Sequence, residues 1–284
     1  MANDVTPWQA ARRIRAAHFP LQIAFTRPRK TAAISLTGEA CALNCAHCGR
    51  RYLRGMAPIW KADVREATSC LISGGCDTEG RVPVLAHLDQ VRALRPGRRL
   101  NWHVGLIGEE EMQAIAPYVD VVSFDLVGDD ATIHEVYGLQ RGVEDYIRTY
   151  QMLRRHVRVV PHITIGLRGG EIRGEYQALE ALQQLGADAL VFIILIPTKG
   201  TVYEGREPPP VEEVGDLLAA ARQVLPDTPI YLGCMRPAGG YRDQVDQAAI
   251  RAGVNKIVNP APAAVSLAAE MGLRILWEEE CCVF

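Results

Sequence analysis

Short apolar runs rich in β-branched residues alternate along this chain with segments whose apolar positions recur every three or four residues. Segments 33–37, 70–73, 100–104, 119–126, 157–165, 189–195, 230–233 and 256–258 are of strand length and bounded by turn residues, which predicts strands. Between most of them the period becomes helical. Segment 83–94 carries Val84, Leu88, Val91 and Leu94 before Pro96-Gly97 stops it; 143–153 and 176–185 repeat the pattern, the latter ending at Gly186. Eight strands joined by helices or loops predict a parallel sheet with right-handed crossovers. Count and length fit an α/β fold of the (β/α)8 TIM barrel type, full or partly open.

Both ends fall outside the alternation. Residues 7–18 predict a helix with Trp8, Ala11 and Ile14 on one side, suited to cover the bottom or edge of a barrel. Past the eighth unit, 263–271 reads as a helix, 274–277 as a short strand, and 278–284 as a cysteine-bearing tail. The chain thus divides into a helical extension (1–32), a barrel (33–260) and a C-terminal helix, strand and tail (261–284), with no internal repeat or low-complexity linker.

Composition narrows the class. With 48% hydrophobic and 23% charged residues in a chain of 284, a sizeable core is available. A net charge of -2 and a pI near 6.4 lack the footprint of a general nucleic-acid binder. Arg12, Arg13, Arg15, Arg27, Arg29 and Lys30 make the first segment locally basic, which reads first as a solvated face and second as a docking surface for an acidic partner. No basic n-region followed by an apolar h-region opens the chain, and the longest apolar run, 189–196, is less than half a membrane span. No membrane association is expected. A core of this size does not need disulfide staples, so eight cysteines point to a reducing cytoplasm and metal-bound thiolates.

Three cysteines, Cys41, Cys45 and Cys48, fall within the eight residues CALNCAHC, in the loop after the first predicted strand. Barrel enzymes place their chemistry on the face built from such loops. Thiolates this close converge on one metal centre, and they select iron–sulfur clusters, zinc or copper(I). Structural zinc wants four ligands. His47 is a candidate fourth, but adjacent residues rarely both reach one tetrahedral ion, and a second CxxC knuckle is missing. A four-iron cluster on three thiolates leaves one iron free for a cofactor.

CxxxCxxC after a first barrel strand resembles the radical S-adenosylmethionine superfamily. The resemblance implies that Cys41, Cys45 and Cys48 hold a [4Fe-4S] cluster whose open iron chelates the methionine part of S-adenosylmethionine. Reduction of the sulfonium would release a 5′-deoxyadenosyl radical, which abstracts hydrogen from an unactivated carbon. His47 takes the position, usually aromatic, that stacks near the adenine. Ser73-Gly74-Gly75 is similar to the family's Gly-Gly segment for the cofactor's amino group, where a bare backbone permits close approach. The family's usual acidic residue is replaced there by Cys76, with Asp77 next. Asp125 offers a carboxylate able to accept from both ribose hydroxyls, with helix capping as the plainer alternative. His103 and Arg168 are further candidates for the cofactor pocket; His162 should lie deeper.

Of the other cysteines, Cys70 reads as a small buried hydrophobe. Cys76, Cys234, Cys281 and Cys282 are candidate ligands of a second, auxiliary [4Fe-4S] cluster if the tail folds back over the barrel mouth. The strings SGGCDTEGRVPVL, VVSFDLVGDD, HITIGLRGGEIRGEY, LIPTKGT, LGCMRP and EECC resemble biotin-synthase-like radical proteins that form the two-subunit, archaeal-type lipoyl synthases, over residues 30–284. That resemblance implies sulfur insertion into a protein-bound octanoyl chain. The implied partners are an octanoylated lipoyl domain or carrier protein, a second related radical subunit, and an electron donor such as ferredoxin. Alternatives are a biotin-synthase-like radical enzyme of another reaction (methylation, mutase or cofactor assembly) and a non-catalytic zinc-binding protein. Residues 196–210, rich in proline and glycine, are expected to form a lid or mouth segment, with Leu195, Ile196 and Met235 as candidate walls of an apolar channel.

Overall fold

The computed structural model describes residues 6–284, so the first five residues of the expected extension lie outside the described residues. The strands are β1 (Gln22–Thr26), β2 (Thr31–Ser35), β3 (Ala57–Pro58), β4 (Ser69–Ser73), β5 (Arg99–His103), β6 (Val121–Asp125), β7 (Val159–Ile165), β8 (Leu190–Ile194), β9 (Ile230–Leu232), β10 (Lys256–Val258) and β11 (Arg274–Glu278). They form one sheet in the order β11-β1-β10-β9-β8-β7-β6-β5-β4-β2-β3, with every pairing parallel. The two edges, β11 and β3, do not pair with each other, so the barrel is open. The helices are α1 (Pro7–His18), α2 (Leu88–Leu94), α3 (Glu109–Ile115), α4 (Asp130–Tyr137), α5 (Val143–Arg154), α6 (Glu175–Leu185), α7 (Val211–Val224), α8 (Gly240–Arg251) and α9 (Pro262–Glu270).

The strands from β4 to β10 are largely buried on both faces, which is why they read as near-continuous apolar runs, whereas the edge strands β11 and β3 have no buried residue. In β6, Val122 and Phe124 face the helices, with Phe124 against Tyr146 and Tyr150 of α5. Val121, Ser123 and Asp125, the alternate positions, face inward. Register aligns these inward rows: His103 is paired with Ser123, and Asp125 with His162. Each fully buried Val, Ile, Leu or Phe contributes about 1.5 to 3 kcal/mol, so the outer layer carries most of the stability.

All eight expected strands are present, and the structure adds β1 and the two-residue β3. The expectation that the first thirty residues stand outside the sheet is corrected: β1 lies between β10 and β11 with Ile23 and Phe25 fully buried. The helix expected over 83–94 begins only at Leu88, because Val82 and Val84 are drawn into the core as non-helical backbone. The extension helix α1 starts with a Thr6/Gln9 capping box and Pro7 in its first turn. It is docked on α7, where Trp8 Nε1 donates to Asp216 Oδ1 at 2.6 Å and fills the space a side chain at Gly215 would need.

The tail does not fold over the mouth. It runs beside the linker between β1 and β2, with Arg27 N donating to Glu278 O and Lys30 N to Glu279 O, and then enters the barrel from the N-terminal ends of the strands. Glu280 pairs with Arg99 at the start of β5, and Arg158, just before β7, donates to Val283 O. Cys282 and Val283 are buried against Val121, Val160, Ala189, Val191 and Val258. The barrel floor is therefore an apolar plug made from the chain's own end. The physical reason is the carbonyl demand of the tail: Lys256 Nζ satisfies Cys282 O and Phe284 O inside the barrel.

Candidate active site

The cysteine loop leaves β2 at Ser35 and is tied at once to the loop after β4. Gly75 N donates to Thr37 Oγ1 at 2.7 Å, Ala42 N to Cys76 O at 2.7 Å, and Cys76 N to Cys41 Sγ at 3.2 Å. Gly75 has to be glycine: a Cβ there would stand 2.0 Å from Ala40 O and 2.5 Å from Cys41 Cβ. A tight turn then brings Cys48 back to Cys45, with Cys48 N and Gly49 N both donating to Cys45 O, and Gly49 and Arg50 take left-handed backbone to close it. The thiols are close enough for their charges to act on one another. Burial, and then the charges of Cys48 and Cys41, push the Cys45 thiol up to about 12.

His47 lies between the rings of Tyr52 and Tyr137, with centroids 6.0 and 5.8 Å away. Its Nδ1 is buried and has no hydrogen-bond partner, and burial lowers its pKa to about 4, so the ring is neutral near pH 7. Among the described residues no three His, Cys, Asp or Glu side chains converge on the volume of a single ion. The donor set fits a cluster better than a zinc ion, because a cluster interposes several atoms between its thiolates, whereas zinc draws each sulfur to about 2.3 Å. Three thiols on one loop and an orphaned imidazole nitrogen beside them fit a sulfur-ligated cluster.

Below this loop, inside the lumen, Asp125 is the centre of a polar arc. His103 Nε2 stands 3.4 Å from Asp125 Oδ1, and the rings of His103 and His162 meet edge to face at 6.3 Å. Burial alone would raise the Asp125 pKa, but the charge and hydrogen bond of His103, then His162 and His47, hold it below the ordinary value. The His103 pKa is raised: Asp125, with help from Cys281, outweighs the opposite effect of burial. His162 Nδ1 bonds to Val160 O at 3.1 Å, and burial depresses its pKa to about 4. Ser73 Oγ donates to His103 O at 3.1 Å. Arg168 is not part of this arc; its Nε donates to Glu135 Oε2 at 2.7 Å near the rim.

The remaining thiols divide by position. Cys76 stands with the upper loop, its thiol pushed up to about 12 by burial and then by Cys41 and Cys45. Cys281 and Cys282 belong to the plug, and Cys234, exposed just past the C-terminal end of β9, is within reach of their charge. Cys281 Sγ lies 4.0 Å from Cys282 Sγ and accepts from Asn101 Nδ2 at 3.5 Å. The Cys281 thiol is held below its ordinary range, chiefly by the Cys282 hydrogen bond. Grouping Cys76 with Cys234 and the tail is thus not what the fold does: β4 delivers Cys76 to the mouth, and the plug delivers the tail thiols from the floor. Cys70 is fully buried on the outer face of β4.

Two groups of residues escaped the sequence reading. Asn101 and Ser123, joined by a 2.9 Å bond from Ser123 Oγ to Asn101 Oδ1, line the lumen beside Cys281, and period-two alternation in β5 and β6 was the available signal. Arg236 and Asp246 form a fully buried ion pair that also takes Gly233 O and Ala261 N, anchoring the segment that bears Cys234. Nothing local in the sequence marks that pair.

No protein-family model matches the chain. The biotin synthase of Pelodictyon phaeoclathratiforme (strain DSM 5477 / BU-1) is 26% identical over 213 residues, which cover 66% of this chain and 61% of that protein. The chain thus spans about three-fifths of the length of the curated relative it matches. Among solved structures, methylornithine synthase (PylB) superposes with a TM-score of 0.68 at 14% identity, covering 95% of this chain and 88% of that one. The FeFe-hydrogenase maturase HydG from Carboxydothermus hydrogenoformans gives 0.69 at 13%, covering 95% and 71%. These likenesses establish the fold, an open parallel α/β barrel. It is the architecture that the radical S-adenosylmethionine resemblance implies, with the three-cysteine loop on its mouth. Among the described residues no helix is long and apolar enough to cross a membrane.

Proposed function

We propose that this chain is a radical S-adenosylmethionine iron–sulfur enzyme that inserts sulfur into an octanoyl chain on a lipoyl domain or other carrier protein. In this reading it works beside a second related radical subunit and receives electrons from a donor such as ferredoxin. The observation that carries the proposal is the separation of two thiol groups within one lumen. Cys41, Cys45 and Cys48 stand at the mouth, Cys281 and Cys282 rise with the plug from the floor, and Cys234, exposed just past the C-terminal end of β9, lies within reach of their charge. Sulfur insertion needs a hydrogen abstractor and a sulfur source facing one substrate carbon, and only an arrangement with two centres offers both.

Held by Cys41, Cys45 and Cys48, a [4Fe-4S] cluster with S-adenosylmethionine supplies hydrogen abstraction from unactivated carbon, and a second cluster on Cys234, Cys281 and Cys282 supplies sulfur. The chain's own residues do the rest. Gly74 and Gly75 let the loop after β4 pack directly on the cysteine loop, which fixes where a ligand of that loop would sit, and the neutral His47 ring is placed for an apolar contact with an adenine. Asp125, kept ionised by His103, accepts from hydroxyl groups such as those of a ribose. Arg168 takes a carboxylate only by leaving Glu135. The plug closes the floor and keeps bulk water from entering below.

Val191, Ile193 and Val258 give the lumen an apolar side suited to an alkyl chain. The opposite arc of Asn101, Ser123, His103, Asp125 and His162 favours a second reading, a radical enzyme of another reaction acting on a small polar substrate. Anaerobic iron and acid-labile sulfide analysis decides the first point: about eight irons per chain support two clusters, about four support one, and zinc without iron ends the radical reading. Incubation with reductant, S-adenosylmethionine, the partner subunit and an octanoylated peptide then decides the second. A mass gain of sulfur on the peptide supports sulfur insertion, and deoxyadenosine release without it favours the other reaction.

A further inference from the structure

Residues 196–210, in the connection from β8 to α7, are expected to form a lid or mouth segment. They lie at the mouth, bonded to the cysteine loop and the turn that follows it. Tyr203 N donates to Ala46 O at 3.1 Å, while Ala46 N donates to Val136 O of α4 at 2.7 Å, so the residue next to Cys45 is held from both sides. Thr198 Oγ1 lies 2.9 Å from the Tyr52 hydroxyl, which itself donates to His47 O at 3.4 Å. Arg51 packs so closely on Gly200 that a Cβ there would stand 1.8 Å from its Nη2. The Tyr203 phenol, 2% exposed, donates to Glu135 Oε1 at 2.8 Å, and Glu135 Oε2 accepts from Arg168 at 2.7 Å. Glu135 precedes Val136, the residue that takes the Ala46 amide.

We propose that Tyr203 and Glu135 form a latch, acting as positioning residues that fix the cysteine loop in its ligand-ready shape before any ligand arrives. The loop has cause to open on its own: it closes through Arg50, a non-glycine residue held in left-handed backbone at a φ of 64°. An external clasp removes the ordering cost at the moment of binding. The segment 196–210 is then a strap rather than a gate. Its role toward a cluster rests on the function proposed above, whereas its hold on the loop does not.

Hydrogen exchange of the metal-free full chain tests the hold directly, reading the Ala46, Cys48 and Tyr203 amides against those of β7. Tyr203→Phe and Glu135→Ala should each speed exchange in the loop about tenfold, equivalent to about 1.4 kcal/mol, and leave β7 unchanged. The double variant should be no worse than either single one. Glu135→Gln keeps an oxygen for the Tyr203 hydroxyl and should restore slow exchange. After anaerobic reconstitution, iron should leave Tyr203→Phe and Glu135→Ala faster to a chelator, and Glu135→Gln should release it as the unaltered chain does. Unchanged loop exchange in Tyr203→Phe overturns the latch. So does an acceleration shared equally by β7, or a Glu135→Gln variant as damaged as Glu135→Ala. Failure of the unaltered chain to take up iron overturns the cluster reading instead, and the exchange data still decide the latch.

Discussion

The main-chain N–H of Cys76 donates to Cys41 Sγ at 3.2 Å, and a Cβ on its neighbour Gly75 would collide with Cys41 at 2.5 Å. The two loops at the mouth are thus built in van der Waals contact, and one methyl group is enough to separate them. Gly75→Ala should lose iron uptake on reconstitution and cost about 2 to 3 kcal/mol in denaturant unfolding. Gly74→Ala, whose Cβ would meet Thr37 Oγ1 at 3.2 Å, Thr37 Cγ2 at 3.3 Å and Leu36 N at 3.4 Å, needs a shift of only a few tenths of an ångström and should keep iron uptake at a smaller cost in stability. Equal behaviour of the two variants would deny the contact its importance.

Cys76 serves the upper loop through its backbone, so its side chain is dispensable there. If the chain holds two clusters as proposed, Cys76→Ala should retain both signals in iron analysis. Cys234→Ala or Cys281→Ala should lose about four irons per chain while sparing cleavage of S-adenosylmethionine. A loss of iron in Cys76→Ala equal to that in Cys234→Ala would return Cys76 to the group of Cys234 and the tail thiols.

Arg236 and Asp246 are both fully buried, and Asp246 also accepts from Ala261 N at 2.9 Å. Asp246→Asn leaves a guanidinium buried without its counter-charge. The expected cost is about 3 to 5 kcal/mol, measured as a lowered urea midpoint at unchanged slope. The thiol of Cys234, carried on the anchored segment, should react faster with an aromatic disulfide reagent in the same variant.

The His103 and Asp125 pair sets a pH window. A raised His103 pKa contributes stability that is complete below the unfolded histidine value and is lost as pH rises through the folded one. A depressed Asp125 pKa contributes above the unfolded carboxylate value and is lost as pH falls through the folded one. In Asp125→Asn, burial acts on His103 unopposed by that carboxylate, so its titration, followed by the ring Cε1–H resonance in the metal-free chain, should move below the ordinary histidine value. A titration that stays raised would mean that other groups hold the proton.

Val283, 1% exposed on the barrel floor, makes the plug testable. Val283→Asp buries a carboxyl among Val121, Val160 and Val191, at a cost of about 3 kcal/mol or withdrawal of the tail. Withdrawal should turn Cys282 from an inert thiol into one that alkylates quickly. Protection of Cys282 at the unaltered rate would contradict the plug.

Much of the barrel could be read in advance because its strands from β4 to β10 are largely buried on both faces, which leaves long β-branched runs in the sequence. β1 could not: Gln22–Thr26 is short, set between Pro20 and Pro28, and its partners lie more than two hundred residues away. Parallel pairing leaves no local trace of that kind. The loop cysteines were legible because their spacing is itself the signal. For Cys76 and the tail, spacing was silent on which end of the barrel each would reach. The partners of Glu135 were invisible for the same reason, since Glu135 lies on α4 while Arg168 and Tyr203 reach it from the loops after β7 and β8.

Cys281 N rests on Thr31 Oγ1 at 2.8 Å, joining residues 250 apart in the chain. Contacts of that span close late, after the intervening strands have found their order. Cys281 and Cys282 therefore reach their places only when β11 is docked on β1 and the tail lies across the floor. A chain that has folded its barrel but not seated its end would carry the complete cysteine loop at its mouth and an open floor, with Cys281 and Cys282 left in solvent.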